Sequence, residues 1–211
     1  MNWFTRIDRR SFIYWVLVFL IIFLILAIWG DHNSYFVGNI VPESLGVCVE
    51  LLIVLWVFDT WQEKGKRQKL ITIERRLREY LIFFLDHSFK NLPRDYRVGR
   101  FFGKDHDQNI AQIKKLIIYI DEGKLSGEVV DNITNQCNTD IEALRSLLPA
   151  AAELTNKHFK AWNRIVYFVH CLAYNKDQID TNQTVKDILQ NIRRYDTASY
   201  EKKLYVGADR A

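Results

Sequence analysis

The sequence predicts an all-α protein: a two-span transmembrane helical hairpin followed by a cytoplasmic helical bundle. Three observations predict it. Residues 12–61 hold two long apolar runs, Phe12 to Trp29 and roughly Leu45 to Phe58. Beyond them apolar residues recur at three-then-four spacing, and no period-2 run that would mark a strand survives inspection. Lys and Arg stand on both outer flanks of the hairpin and are absent from its link, Gly30 to Ile40. At 211 residues, one hairpin plus one further domain is the natural count. The chain reads as a hairpin over 1–61, a basic juxtamembrane stalk and loop over 62–104, and a bundle over 105–211.

The first run is eighteen residues without charge, proline or glycine. A bilayer core about 30 Å thick needs ~20 apolar helical residues, so this run spans. It exceeds the roughly 7–15 residues of a signal-peptide core. Ala27-Ile28-Trp29-Gly30 is also a poor cleavage site, so the run reads as retained. Arg6, Arg9 and Arg10 precede it; Trp3, Phe4, Tyr14 and Trp15 suit an aromatic belt at that face, and Trp29 one at the other.

The second run reaches spanning length only as a helix over about 42–61, opened by Pro42, Glu43 and Ser44. That placement sets Glu50 near mid-membrane, with Gly46 four residues earlier on the same face. Lys64, Lys66, Arg67 and Lys69 follow directly. Basic residues mark the cytoplasmic side, so the expectation is a multi-pass bacterial inner-membrane protein with both termini cytoplasmic. In that setting Asn132-Ile133-Thr134 and Asn182-Gln183-Thr184 are chance sequons.

Positive charge is concentrated after the hairpin. Residues 62–104 hold twelve basic and five acidic groups, whereas residues 1–61 hold three and five, and residues 105–211 fourteen and fifteen. Past Gly65, Leu70, Ile73, Leu77, Tyr80 and Phe84, with Leu81 and Leu85, form a helical stripe. The second helix is therefore expected to run on, with a bend at Gly65, as a stalk to about His87 that packs against something. A basic aromatic loop follows, carrying Lys90, Arg94, Tyr96, Arg97, Arg100, Phe101, Phe102 and Lys104.

Four helices complete the bundle. Ile110, Ile113, Leu116, Ile117 and Ile120 define one that stops near Gly123; Val130, Ile133, Cys137, Ile141, Leu144 and Leu148 define the next, stopped or kinked by Pro149. A third is expected from about Pro149 to Tyr174 and a fourth from roughly Thr184 to Tyr195, with the last dozen residues frayed.

Candidate chemistry is sparse. Three cysteines, Cys48, Cys137 and Cys171, are too few for a disulfide framework, so a reducing compartment suits the bundle. Gly99 to Lys104 lacks the spacing and the following Ser/Thr of a phosphate loop. Asp105-His106-Asp107 reads as a loop with a helix N-cap at Asp107 rather than as a metal clip, and no cofactor is implied. His158, His170 and Cys171 lie on a helix rich in core residues, with no base oriented for nucleophilic catalysis.

Two candidates stand out. Glu50 is an ionisable group at bilayer depth, which costs roughly 2.5–3.5 kcal/mol or more and so seeks protein or water. The first span offers it only Tyr14, near the cytoplasmic end, so Gly46 and Glu50 mark an oligomer face; the alternative is a local hydrogen bond between helices. The second candidate is the basic belt of Lys64, Lys66, Arg67, Lys69, Arg75, Arg76 and Arg78, then Arg94, Arg97, Arg100 and Lys104, where interleaved Tyr96, Phe101 and Phe102 make the loop a candidate partner contact. It suits anionic lipid headgroups at about 1 kcal/mol per cation, or else a nucleic-acid or acidic partner.

The run Asn39-Ile40-Val41-Pro42-Glu43-Ser44-Leu45-Gly46, then a span, a basic turn and Glu74-Arg75-Arg76-Leu77-Arg78-Glu79, resembles small two-span bacterial inner-membrane proteins. Among these are the two-transmembrane effectors of anti-phage systems, including retrons. That resemblance implies an effector kept silent by a cytoplasmic partner and released to damage the membrane. In a retron the partner is a reverse transcriptase with its RNA–DNA product, a ribonucleoprotein. The expected function is thus a membrane-anchored effector whose hairpins homo-oligomerise to permeabilise the membrane. The alternatives are a non-enzymatic scaffold recruiting a cytoplasmic partner, or a membrane-bound enzyme gathering His158, His170 and acidic residues.

Overall fold

The computed structural model describes residues 9–29, 36–98, 105–123, 125–174 and 178–204. Every regular element among them is helical: α1 (Arg9–Trp29), α2 (Val41–Ser88), α3 (His106–Asp121), α4 (Gly127–Ser146), α5 (Leu148–Leu154), α6 (Asn156–Tyr174) and α7 (Thr181–Glu201). A π-helical turn, Phe36–Ile40, leads into α2, and a 3-10 turn, Arg94–Tyr96, precedes α3. The chain divides into two compact units, Met1–Lys66 and Arg67–Ala211.

In the first unit, α1 and the early part of α2 are long and apolar enough to cross a membrane. Phe12–Trp29 has mean hydropathy 3.0 with 6% of its residues buried, and the apolar window of the second helix has 2.1 with 11% buried. A core helix of a water-soluble protein would be mostly covered. The more buried positions of α1 fall mainly at Ile13, Val16, Leu20, Phe23 and Leu26, and those of α2 at Val41, Leu45, Cys48, Leu52 and Leu55. Both sets keep helical spacing and define one seam. A groove of about 430 Å³ along it is lined by Val16, Phe19 and Phe23 from α1 and by Glu43, Val47 and Leu51 among others from α2.

Helical hydrogen bonding continues through Gly65 as far as Ser88. In the second unit, the C-terminal turns of α2 give the core Leu77, Leu81, Phe84 and Leu85, all essentially solvent-free. Burying each such side chain is worth about 1.5–3 kcal/mol. Tyr80, expected on this stripe, is instead 44% exposed, because the buried set is 77, 81, 84 and 85 and position 80 falls at its margin. Trp162 of α6 is fully buried and donates its indole N–H to the Leu144 carbonyl at 2.9 Å, fastening α6 to α4.

Caps set the helix starts. Asp105 accepts from the Gln108 N–H at 3.2 Å, Ser126 from Val129 at 3.4 Å, and Asp180 from Gln183 at 3.0 Å. The first of these corrects the expected cap at Asp107: the helix begins two residues earlier, at His106. The expected single helix from Pro149 to Tyr174 is two. Thr155 is extended (φ −150°, ψ 163°), and its hydroxyl accepts from the His158 N–H at 3.3 Å, ending α5 and capping α6. Helix α7 also exceeds its expected bounds. It ends in a Schellman turn in which Leu204 N–H donates to the Ser199 carbonyl at 3.0 Å and Lys203 N–H to the Tyr200 carbonyl at 2.9 Å. Lys203 takes φ +53°, and Leu204 is buried, so the chain is anchored to that point rather than frayed from residue 200.

Candidate functional site

The hairpin unit carries the first candidate. Gly46 and Glu50 are both exposed, and a side chain added at Gly46 would meet nothing within 4 Å. Two residues at about 100° each place either one roughly 160° round the helix from Cys48, the buried centre of the seam. They therefore face away from α1. Val49, Ile53 and Val57 extend the same outward face and are exposed as well. No described side chain of the first unit covers this face.

The basic residues separate into two kinds. Lys64, Lys66, Arg67, Lys69, Arg75 and Arg76 are exposed. Lys69 pairs with Glu153 at 2.7 Å and Arg75 with Glu79 at 3.4 Å, contacts worth little when both partners are solvated. Arg78 differs from the rest of the belt: it is 6% exposed and sits inside the bundle, because it shares the core-facing side of α2 with Leu77 and Leu81. Of the loop residues, Arg94 and Arg97 are exposed, and Tyr96 packs inward on Tyr119 with ring centroids 4.6 Å apart. Arg97 Nε donates to the Leu92 carbonyl at 2.7 Å, and Gln112 holds the Tyr96 carbonyl at 3.2 Å. Arg100, Phe101, Phe102 and Lys104 lie outside the described residues.

Arg78 opens onto a buried network that the sequence reading missed. Its guanidinium holds Glu74 Oε1 at 2.6 Å and also donates to Asp196 Oδ1. Asp196, fully buried, accepts from Asn109 Nδ2 at 3.1 Å and from His106 Nδ1 at 2.6 Å. His106 stacks flat on Tyr200 with centroids 4.2 Å apart. The Tyr195 hydroxyl donates to the Glu74 carbonyl at 3.4 Å; burial first, then the Glu74 charge, push that phenol well above its ordinary range. Next to it, His158 touches Thr155 Oγ1 at 2.7 Å and Ser199 Oγ at 3.0 Å. Burial, then the Arg78 and Lys202 charges, lower the His158 pKa to about 4.

The only sequence signal for this network was Glu74 and Arg78 at a four-residue spacing beside the apolar stripe. Its distant half, Asp196, gives none. The network ties α2, α3 and α7 together through ions that are paired and hydrogen-bonded, the condition under which buried charge is tolerated.

Several sequence candidates are placed apart. His170 packs against Tyr174, with centroids 4.8 Å apart, while His158 and Ser199 are sealed from solvent. These groups form no shared pocket among the described residues. Cys137 is buried, and burial followed by the Asp140 charge pushes its thiol up to about 12. It behaves as a core residue, not as a thiolate. Compared with known proteins, the chain matches no family model, no curated protein and no solved structure.

Proposed function

We infer that the chain is a membrane-anchored effector in which the helical bundle docks a regulatory partner and the hairpins of several copies associate through the Gly46–Glu50 face to permeabilise the inner membrane. One observation carries the reading. Glu50 is exposed on the outward face of a helix apolar enough to span, turned from α1, the one other such helix among the described residues. A carboxyl at such depth requires a protein or water neighbour. Another copy supplies one, and Gly46, one turn away, lets a second backbone approach closely.

The absence of Lys and Arg from the link, against the flanking Arg9, Arg10, Lys64 and Lys66, supports cytoplasmic termini. The bacterial-defence setting, with a cytoplasmic protein or ribonucleoprotein as partner, rests on the resemblance of residues 39–46 and 74–79 to two-span effectors. The exposed belt of Lys64, Lys66, Arg67 and Lys69 then meets anionic headgroups.

Expression in cells with a membrane-potential dye tests the proposal. Induction is expected to depolarise the membrane, and Glu50→Ala to abolish the effect while leaving membrane insertion intact. An undiminished response in Glu50→Ala sinks the permeabilising mechanism. If Glu50→Leu inserts and retains full function while bundle-surface changes abolish it, the chain is a scaffold.

A further inference from the structure

A second, independent feature lies on the bundle. Helices α6 and α7 pack with Ala161 and Ala198 at their contact, both buried, and these small residues floor a groove of about 360 Å³. Its walls are cationic. Lys157, Lys160 and Arg164 line it from α6, and Arg193 and Arg194 from α7. The spacing of three and then four keeps the α6 cations on one face. Glu201 is the single acid in the lining, and Lys157 holds it at 2.6 Å. Arg194 donates to Asn191 Oδ1 at 3.0 Å. Lys160, Arg164 and Arg193 make no ion pair with any described residue.

Clustered like charges oppose folding. An acid beside a cation relieves that cost, as in Arg145–Glu142 at 3.0 Å and Lys186–Asp121 at 2.7 Å. A groove that gathers five cations with a single acid in its lining is suited to a compact polyanion. Guanidinium forks match phosphate oxygens bidentately, and ammonium groups add point charge. Size narrows the ligand. Lys157 to Arg164 covers seven helical steps, about 10 Å at ~1.5 Å each. The volume lies at the small end of ligand sites, roughly 300–1,000 Å³. No aromatic side chain lines the groove, so it lacks the stacking platform on which single-stranded nucleic acid relies.

We propose that the α6–α7 groove binds a small ligand bearing a chain of two or three phosphates, such as a nucleoside polyphosphate or inorganic polyphosphate. The phosphates displace Glu201 from Lys157 and bridge Lys160 and Arg164 to Arg193 and Arg194. Binding here is separate from hairpin association and stands without it.

The full chain in detergent micelles, titrated calorimetrically with inorganic tripolyphosphate and with ATP, tests the assignment. Both are expected to bind with similar affinity, AMP much more weakly, and higher salt to weaken all of them. Replacing Arg164 and Arg193 together by Ala is expected to weaken binding at least tenfold, and Arg145→Ala, on α4, to leave it unchanged. Circular-dichroism melting verifies that each variant is folded; if the double variant is not, Lys160→Gln, at an exposed position, replaces it and is expected to weaken binding severalfold. No heat with folded protein, or equal binding by the groove variants, overturns the proposal. So does an oligonucleotide or an anionic-lipid vesicle that binds more tightly than tripolyphosphate and loses that affinity in the same variants.

Discussion

At the residue scale, Asp196 carries the most weight in the bundle. It is fully buried and accepts from Arg78, Asn109 and His106. Asp196→Ala leaves the Arg78 guanidinium half-paired in the core, and breaking a buried pair in this way costs about 3–5 kcal/mol. Denaturant unfolding should register that loss, with Asp196→Asn losing less because its amide oxygen still accepts. His158 supplies a pH signature. Its folded pKa of about 4 lies below the ordinary 6.5, so the unfolded chain takes up a proton that the folded chain refuses. This contribution leaves stability constant above about pH 6.5 and erodes it, by up to about 3 kcal/mol, as pH falls toward 4. In His158→Gln the difference in melting temperature between neutral and mildly acidic solution should shrink; an unchanged difference would contradict this assignment. Lys203, at φ +53°, carries strain that glycine lacks, so Lys203→Gly should raise stability by about 1 kcal/mol in the same unfolding assay. Asp196 and Lys203 did not announce themselves in the sequence, whereas His158 read there as part of a helix rich in core residues and is buried. Arg78 read as one more cation of the basic belt, because a charge run does not reveal which member turns inward until the opposing helix is known.

At the element scale, the helical periodicity was legible and its punctuation less so. Apolar spacing located α3 and α4 and the core-facing turns of α2, since a buried stripe must repeat with the helix. The division of α5 from α6 escaped because Pro149 dominated the reading, while the operative break is Thr155, whose hydroxyl caps the next helix. Removing such a cap costs about 0.5–2 kcal/mol. Thr155→Ala should fall toward the upper end, since the same oxygen also touches the His158 ring at 2.7 Å. Thermal melts of Thr155→Ala and Thr155→Ser distinguish cap from bulk: Ser should recover most of the loss. Likewise, α7 outran its expected end at Tyr195 because Thr197, Ala198 and Ser199 look polar or small. Ala198 and Ser199 are buried against neighbouring helices, and Leu204 closes the end as an apolar plug.

At the scale of the whole molecule, composition predicted an apolar N-terminal unit and a helical remainder, and both are present. Counting charge by segment concealed the α6–α7 groove. A balance of fourteen basic and fifteen acidic groups over 105–211 says nothing of their arrangement, and five of those cations line one cleft. Among the described residues the core of the second unit draws on positions 70–204, so residues 67–211 alone should melt cooperatively by circular dichroism; a gradual, non-cooperative trace would refute its independence. The hairpin joins its helices along one stripe and turns Gly46 and Glu50 the other way. A patch that meets its own copy across a two-fold axis is exhausted at two chains, whereas a closed ring needs the patch of one chain to land on a different surface of the next, such as the back of α1. Counting chains per complex by single-molecule photobleaching therefore separates a carboxyl pair, which has no lumen, from a ring of carboxyls that surrounds one.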